Sequence, residues 1–428
     1  MYKQYLNQTL HLLKENKLLS AISIIGTALA ISMIMVIVIV YEVKTANYEP
    51  ETHRDRMLTV KWAGIVDKKH PDWNSNSMLS SRVVKECFYT LKSAEAVTGI
   101  LPYQPKLANI PGGTTDLKCD VSFTDAAFWK VFEFSFLKGK PFVQEEFESG
   151  IKKAVITESL ARHLYGNIDV IGKPIRFSYI DYTISGVVKD VSTLAEAAYA
   201  QAWVPYTVIK RPFNEDWSEG LLGSFRCYIL ARNSSDFDKI RNEVNRNVIA
   251  LNAGQKSQNL ILRGQPDTQF VQMTRRWANE DAKVKETIIK YSIVLVILLL
   301  VPAINLSGMT LSRMRKRMAE IGVRKAFGAN RKELLGQILY ENFVLTILGG
   351  IVGLFFSFVS VYFMKEWLLS SSMDGYLAGS SSLSIEMLFK SSVFLYALLF
   401  CMLLNMLSAG IPAWKASRTN IVNALNDR

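Results

Sequence analysis

The sequence predicts an α+β membrane protein: four transmembrane helices carrying a large extracytoplasmic α/β domain. Three observations predict it. Uncharged apolar runs of span length recur at Leu18–Tyr41, Tyr291–Ser312, Phe343–Met364 and Ser391–Trp414. Between the first and second lies a stretch of more than 200 residues with mixed strand and helix patterning. The segments assigned to one side of the membrane are rich in Lys and Arg, the asymmetry that retains short loops in the cytoplasm.

Composition agrees. The chain has 428 residues, 49% of them hydrophobic, with mean hydropathy +0.13. It is more apolar than an ordinary soluble domain, yet with 21% charged residues it cannot lie wholly in lipid. The net charge is +12. Residues 313–333 supply +6 of it, from eight bases (Arg313, Arg315, Lys316, Arg317, Arg324, Lys325, Arg331, Lys332) against Glu320 and Glu333. Because this excess sits beside apolar spans, it orients the protein in the bilayer rather than marking nucleic-acid binding. Of four cysteines, Cys401 falls in a predicted span. Cys87, Cys119 and Cys227 fall in the outer domain without CxxC or zinc spacing, so one disulfide and free buried thiols both remain open.

In order, residues 1–17 form a polar-basic amphipathic lead on the inner membrane face. TM1 covers 18–43; the length of its apolar run and the lack of an A-x-A site predict a retained span, not a removed signal. Gly26 with Ala30, and Ser23 with Thr27, make small-xxx-small pairs that permit close helix approach, or are ordinary small residues of a span. The outer domain covers 44–285. Met57–Ala63 reads as a strand, Ser80–Lys92 as a helix and Ala96–Leu101 as a strand. Phe225–Ala231, Asp236–Ala250 and Asn259–Leu262 repeat the pattern downstream. Two split βαβ units predict a ferredoxin-like subdomain at 44–105 and 222–285, with a small subdomain inserted at 106–221. Within the insertion, Val155–Leu164 reads as a helix capped by Thr157 and ended at Tyr165–Asn167. Ile175–Tyr179 and Tyr182–Val188 read as a hairpin.

Arg275–Lys290 reads as a charged helical neck leading into the stalk end and TM2 (286–312). That span contains Pro302, which can kink it, and Asn305, a polar residue at depth expected to face another helix. A basic loop follows at 313–333, then TM3 (334–364) with Gly349 and Gly353 as GxxxG. A short outer loop (365–390), TM4 (391–414) and a basic tail (415–428) complete the chain. Both termini are expected in the cytoplasm.

Several chemistries are excluded by motif. There is no GxxxxGK[ST] phosphate loop, no HExxH, no Cys/His metal set and no G-x-S-x-G elbow. We therefore expect neither catalysis nor a bound cofactor or metal on this chain.

The residues also carry a resemblance. EIGVRKAFGA (Glu320–Ala329), the QILYEN and GGIVG segments within Gln337–Gly353, NKLLSAISIIGTALAIS (Asn16–Ser32), AVITESLARHLYGNIDVIGKPI, ISGVVKD and PAWKASRTNIVNAL (Pro412–Leu425) together resemble the permease subunits of the MacB/FtsX superfamily of ABC transporters. The match extends over nearly the whole chain. It implies a bacterial inner-membrane permease, working as a dimer of identical or paralogous copies with cytoplasmic ATPase subunits that hold the ATP and Mg. A periplasmic adaptor and an outer-membrane protein are further candidate partners.

Under this resemblance the basic loop becomes a coupling helix seated in a groove of the ATPase. Met314, Met318, Ile321 and Lys325 share one helical face. Arg315, Arg317 and Arg324 would meet acidic rims, Glu320 lies in the matched motif, Gly322 would allow close approach and Gly328 could end the helix. From charge alone, the loop would only set topology. ATP-driven closure of the partner would then move the outer domain, a scheme termed mechanotransmission. Export or efflux of an antimicrobial peptide, drug or similar periplasmic substrate is the leading expectation, because the inserted subdomain resembles the MacB-like branch. Lipoprotein extraction or regulation of cell-wall hydrolases, within the same superfamily, is the alternative. A sensor signalling without ATP is disfavoured by a cytoplasmic tail of 14 residues after Trp414.

Overall fold

The computed structural model describes residues 17–113, 115–209, 217–316, 331–369, and ten positions between 394 and 410. The chain divides into two compact units, one formed by Lys44–Thr287 and the other by the helices on either side of it. Residues 1–16 of the amphipathic lead, most of the 313–333 loop, residues 370–390 of the expected 365–390 outer loop and the tail lie outside the described residues, and 365–369 are helical rather than loop.

In the helical unit, α1 spans Lys17–Thr45. Among the described residues, two helices are long and apolar enough to cross a membrane, Ser20–Thr45 and Leu339–Met364. The second of these stretches lies in a helix running from Arg331 to Leu369. The expected second span forms the greater part of a continuous helix, Val284–Lys316, through Pro302. The described positions of the expected fourth span, between 394 and 410, are helical.

The Lys44–Thr287 unit is built on two sheets. Its strands in chain order are β1 (Met57–Val60), β2 (Ala63–Asp67), β3 (Asn74–Leu79), β4 (Ala94–Asn109), β5 (Leu117–Thr124), β6 (Phe136–Gly139), β7 (Lys153–Thr157), β8 (Pro174–Phe177), β9 (Ile180–Val188), β10 (Ala202–Pro205), β11 (Leu222–Gly223), β12 (Arg226–Ala231), β13 (Gln258–Ile261) and β14 (Asp267–Thr268). The large sheet runs β14-β1-β12-β4-β5-β10-β7-β9-β6, and the small one β11-β3-β2-β13. β12 lies between β1 and β4 and is antiparallel to both, and β14 and β13 pair antiparallel with β1 and β2. The strand order is that of two interleaved βαβ pairs, with helices Ser81–Phe88 and Phe237–Ala253 as the crossovers.

β4 is longer than the sequence suggests: it extends from Ala94 to Asn109, past the Leu101 limit, and enters both halves of the unit. Beyond Leu101 it pairs with β5, and at Ala108 with β8. The ladder then runs β5-β10-β7-β9-β8 and returns to β4, so six strands close on themselves. Trp203, Val121, Val155, Ile156 and Ile184 are buried there.

Three local expectations need correction. Met57–Ala63 is not one strand. The Gln265 side chain accepts from the Lys61 and Trp62 amides and donates to the Trp62 carbonyl, so it takes the place of a strand partner and breaks the run into β1 and β2. Val155–Leu164 is not all helix. β-branched Val155 and Ile156 lie in β7 between β9 and β10, and the helix starts only at Glu158, with Thr157 as its cap as the sequence indicates. The helix ends at Gly166, whose φ of +73° suits glycine. The neck is not helical from Arg275, because Arg275 is drawn into a buried ion pair; helix begins at Val284.

Helix 331–369 packs tightly on α1. A Cβ at Gly353 would lie 2.6 Å from the Ala28 carbonyl oxygen, and one at Gly349 would lie 2.8 Å from the Thr27 Cβ. Gly353→Leu should therefore cost about 1–3 kcal/mol through overpacking. The measurement is thermal melting of the purified protein in detergent, where Gly336→Leu, with open space around it, should melt like the parent.

Candidate functional site

Of the residues assigned to ATPase coupling, Met314 and Arg315 sit in the last turn of helix Val284–Lys316. Arg317, Met318, Glu320, Ile321, Gly322, Arg324, Lys325 and Gly328 lie outside the described residues. Of the packing residues, Gly349 and Gly353 meet α1 at Thr27, Ala28 and Ile31. Ala30 is buried and Gly26 half-buried. Asn305 lies within helix Val284–Lys316.

A feature that sequence reading missed lies where the chain leaves α1 and enters the outer domain. Arg54 and Glu51 form an ion pair at 2.6 Å, with side chains 1% and 2% exposed. The guanidinium also donates to the Ala46 and Leu194 carbonyls and to the Tyr48 hydroxyl, and stacks 4.0 Å over the Tyr48 ring. The other Glu51 oxygen accepts the Ala197 and Ala198 amides. Every member of this buried charge pair thus has several partners, the condition under which burial is tolerated. The pair joins three parts of the chain: the exit from α1, the turn before β1, and the 194–198 strap that connects β9 to β10 of the closed strand ring.

Within the same strap, Glu196 faces Lys61 at 2.5 Å and Arg226 at 3.8 Å. Burial works against its charge, but Lys61 and Arg226, with Lys44 behind them, outweigh it and hold the carboxyl below its ordinary range. A second buried clamp lies at the other connection. Arg275 grips Asp267 with two nitrogens, at 2.7 and 3.2 Å, and donates to the Arg263 and Glu280 carbonyls. Gln269, two residues after Asp267, donates to the Lys44 carbonyl at the end of α1.

A third polar group lies in the core. The Asp125 carboxylate accepts from Thr98, Tyr89 and the Gly99 and Phe128 amides. Burial pushes this carboxyl up, against four donors that favour its anion. It holds β4, β5 and helix Ser81–Phe88 together. Cys87, Cys119 and Cys227 are free and buried. Burial raises the Cys87 and Cys119 thiols to about 12, which leaves them unreactive. Among the described residues no His, Cys, Asp or Glu group could hold a metal ion.

Two family models divide the chain between them: the MacB-like periplasmic core domain matches residues 20–247, and the FtsX-like permease C-terminal domain matches residues 292–421. The chain belongs to the MacB/FtsX family of ABC transporter permeases. Among its relatives is the uncharacterized ABC transporter permease YknZ of Bacillus subtilis (strain 168), 24% identical over 357 residues, covering 82% of this chain and 81% of that protein. The macrolide export ATP-binding/permease protein MacB of Nitrobacter winogradskyi is 23% identical over 415 residues, which are 96% of this chain and 58% of the relative. The crystallised extracellular domain of YknZ covers 47% of this chain and 100% of its own length, at 12% identity and a TM-score of 0.33. The MacB/FtsX match covers the permease region, and membership implies a membrane protein with an ATPase partner.

Two outcomes follow from the buried charges. Arg54→Met alone should destabilise the protein by about 3–5 kcal/mol, because it strands Glu51 without its cation. Adding Glu51→Gln should recover part of the loss in a denaturant titration. The Glu196 carboxyl has a depressed folded pKa. Its stabilising contribution is therefore present above the ordinary Glu value, about 4.3, and is lost as pH falls through the folded value. The melting temperature of Glu196→Gln should lie below the parent at pH 7 and converge with it toward pH 3.

Proposed function

We propose that this chain couples ATP hydrolysis by a separate cytoplasmic ATPase to movement of its periplasmic domain, in the bacterial inner membrane. Four spans place both termini in the cytoplasm, and a second permease copy, identical or paralogous, completes the assembly. The outer domain combines a ferredoxin-like porter with its inserted small subdomain. No cofactor is bound by this chain; ATP and Mg belong to the partner. The work is mechanical and is done outside the bilayer, to export an antimicrobial peptide, drug or similar substrate through a periplasmic adaptor and outer-membrane duct.

One observation carries this reading. Inside the outer domain, the segment that follows the first predicted span and the segment that precedes the second each hold a buried ion pair, Glu51–Arg54 and Asp267–Arg275. The Gln269–Lys44 bond ties the two segments to each other. Within the outer domain the second pair leads directly into the sheet, since Asp267 lies in β14, which pairs with β1. The spans themselves carry no charge within their apolar runs, which disfavours a hydrophilic route through the bilayer. Relatives named for macrolide export favour the efflux branch.

The loop 313–333, read as the coupling element through Met314, Arg315, Arg317, Met318, Glu320, Ile321, Gly322, Arg324, Lys325 and Gly328, supplies the test. Tagged protein purified from native membranes should bring down an ATPase subunit with ATP turnover. Arg324→Glu should abolish that association while the permease still reaches the membrane. An undiminished yield of ATPase with Arg324→Glu would remove the loop from the coupling role.

A further inference from the structure

The Asp125 carboxyl sits on the seam of the outer domain. It follows β5, and its Oδ2 accepts the Gly99 amide of β4 at 3.0 Å, just before that strand begins to pair with β5 at Leu101. The side chain thus takes the place of a strand partner where the β4–β5 ladder stops. Oδ2 also accepts the Tyr89 hydroxyl at 2.5 Å. Oδ1 accepts the Thr98 hydroxyl at 2.6 Å and the Phe128 amide at 2.9 Å. Each oxygen has two donors, and all of them are neutral. The residue is 4% exposed. An anion buried without a counter-charge is costly even when its lone pairs are used.

Among the described residues, no Lys, Arg or His pairs with this carboxyl. Besides the two tyrosines described below, the titratable groups facing it are Cys87 and Cys227, buried thiols that burial keeps neutral. The charges on the surrounding elements turn elsewhere. Arg82, Lys85 and Glu86 of helix Ser81–Phe88, Lys118 of β5 and Lys130 of helix Phe128–Val131 are exposed. Asp120 of β5 meets Tyr199, Glu95 of β4 pairs with Arg56, and Arg226 of β12 faces Glu196. Lys106 lies opposite Cys119 at the far end of β4.

In place of a cation the carboxyl has a second hydroxyl behind the first. Tyr206 Oη lies 3.2 Å from Tyr89 Oη, and either atom can donate. Edge contacts with Phe147 and Phe225 fix the Tyr206 ring. With Asp125 ionised, Tyr206 donates to Tyr89 and Tyr89 to Oδ2. With a proton on Oδ2, that proton is donated to Tyr89, and the Tyr89 proton turns to Tyr206. Hydroxyl rotation makes both arrangements available without moving a heavy atom. Oδ1 lacks this provision, because among the described residues the Thr98 hydroxyl bonds to Asp125 alone. Tyr89 is 36% exposed, so the hydroxyl chain begins near solvent. The Gly99 amide has no such freedom: it can only donate, and a protonated Oδ2 is a poor acceptor for it.

We propose that Asp125, Tyr89 and Tyr206 form a proton-operated clasp: a proton taken up at Oδ2 reverses the two hydroxyls and releases the Gly99 amide, loosening β4 where it crosses between the two halves of the outer domain. Burial pushes the Asp125 carboxyl above its ordinary range, so the folded protein takes the proton at a pH above the usual Asp value of about 3.9. The stability that this proton contributes is present below that value and is lost as pH rises through the folded one. The clasp thus switches before acid unfolds the domain. It rests on the outer domain alone and not on the ATP-coupled reading.

The experiment titrates the full chain in detergent from neutral pH downward. Infrared difference spectra should show the stretch of a buried, protonated carboxyl rising before circular dichroism reports unfolding, and Asp125→Asn should lack it. Tyr206→Phe keeps the carboxyl and guards against a misfolded Asp125→Asn. It leaves the Tyr89 proton without its acceptor in the protonated arrangement, so the midpoint of the band should fall by about half to one pH unit. In the parent, hydrogen exchange over residues 97–101, corrected for its intrinsic pH dependence, should quicken by about three- to tenfold across the same midpoint. A band that survives in folded Asp125→Asn or appears only with unfolding, a midpoint unmoved in Tyr206→Phe, or exchange at 97–101 that ignores the midpoint would each overturn the proposal.

Discussion

One buried ion pair, Glu51 with Arg54, sets the conditions for the rest of the outer domain. A charged pair at 1–2% exposure is costly unless every oxygen and N–H finds a partner. Here the pair sits in the turn before β1 and its partners come from two other stretches, Ala46 and Tyr48 after α1 and Leu194, Ala197 and Ala198 on the strap. Satisfying the pair therefore requires all three to assemble together. The ion pair is weak evidence for stability in itself, but it makes the arrangement of the three segments highly specific.

The long β4 strand imposes the second constraint. It is shared by the β1–β12 side of the sheet and by the closed ring of β5, β10, β7, β9 and β8. The two halves of the outer domain consequently share one hydrogen-bonded ladder. Asp125 reinforces the sharing: it ends the turn after β5 but takes its hydrogen bonds from β4 and Tyr89 as well. The strap closes the circuit by returning from the ring to the Glu51–Arg54 pair. A load applied at one end of this unit is met by continuous strands and buried ions rather than by flexible linkers.

The helical unit follows a different physics. Lipid offers no hydrophobic drive for helices to associate, so close approach and dispersion do the work. Gly349 and Gly353 supply the approach, and α1 answers with Thr27, Ala28 and Ile31, of which Thr27 belongs to the Ser23–Thr27 small-xxx-small pair. The pattern offers two pairs on adjoining faces of α1, and spacing alone does not choose between them.

The sequence by itself determined the classes of structure. Apolar runs without charge mark the spans, and the shift to strand and helix periodicity marks the outer domain. The motifs spread from Asn16 to Leu425 place the chain in its family. These signals are legible because they depend on composition and on spacing along the chain. Local caps were legible for the same reason, as at Thr157 and Gly166. The tertiary structure decided what depends on distant partners. Gln265 breaks the strand after Val60 from 200 residues away, β-branched Val155 and Ile156 become strand through their neighbours, and Arg275 leaves the neck to meet Asp267. The Glu51–Arg54 and Glu196 clusters were invisible for that reason: a buried charge looks like a surface charge until the chain folds over it and supplies the groups that make burial affordable.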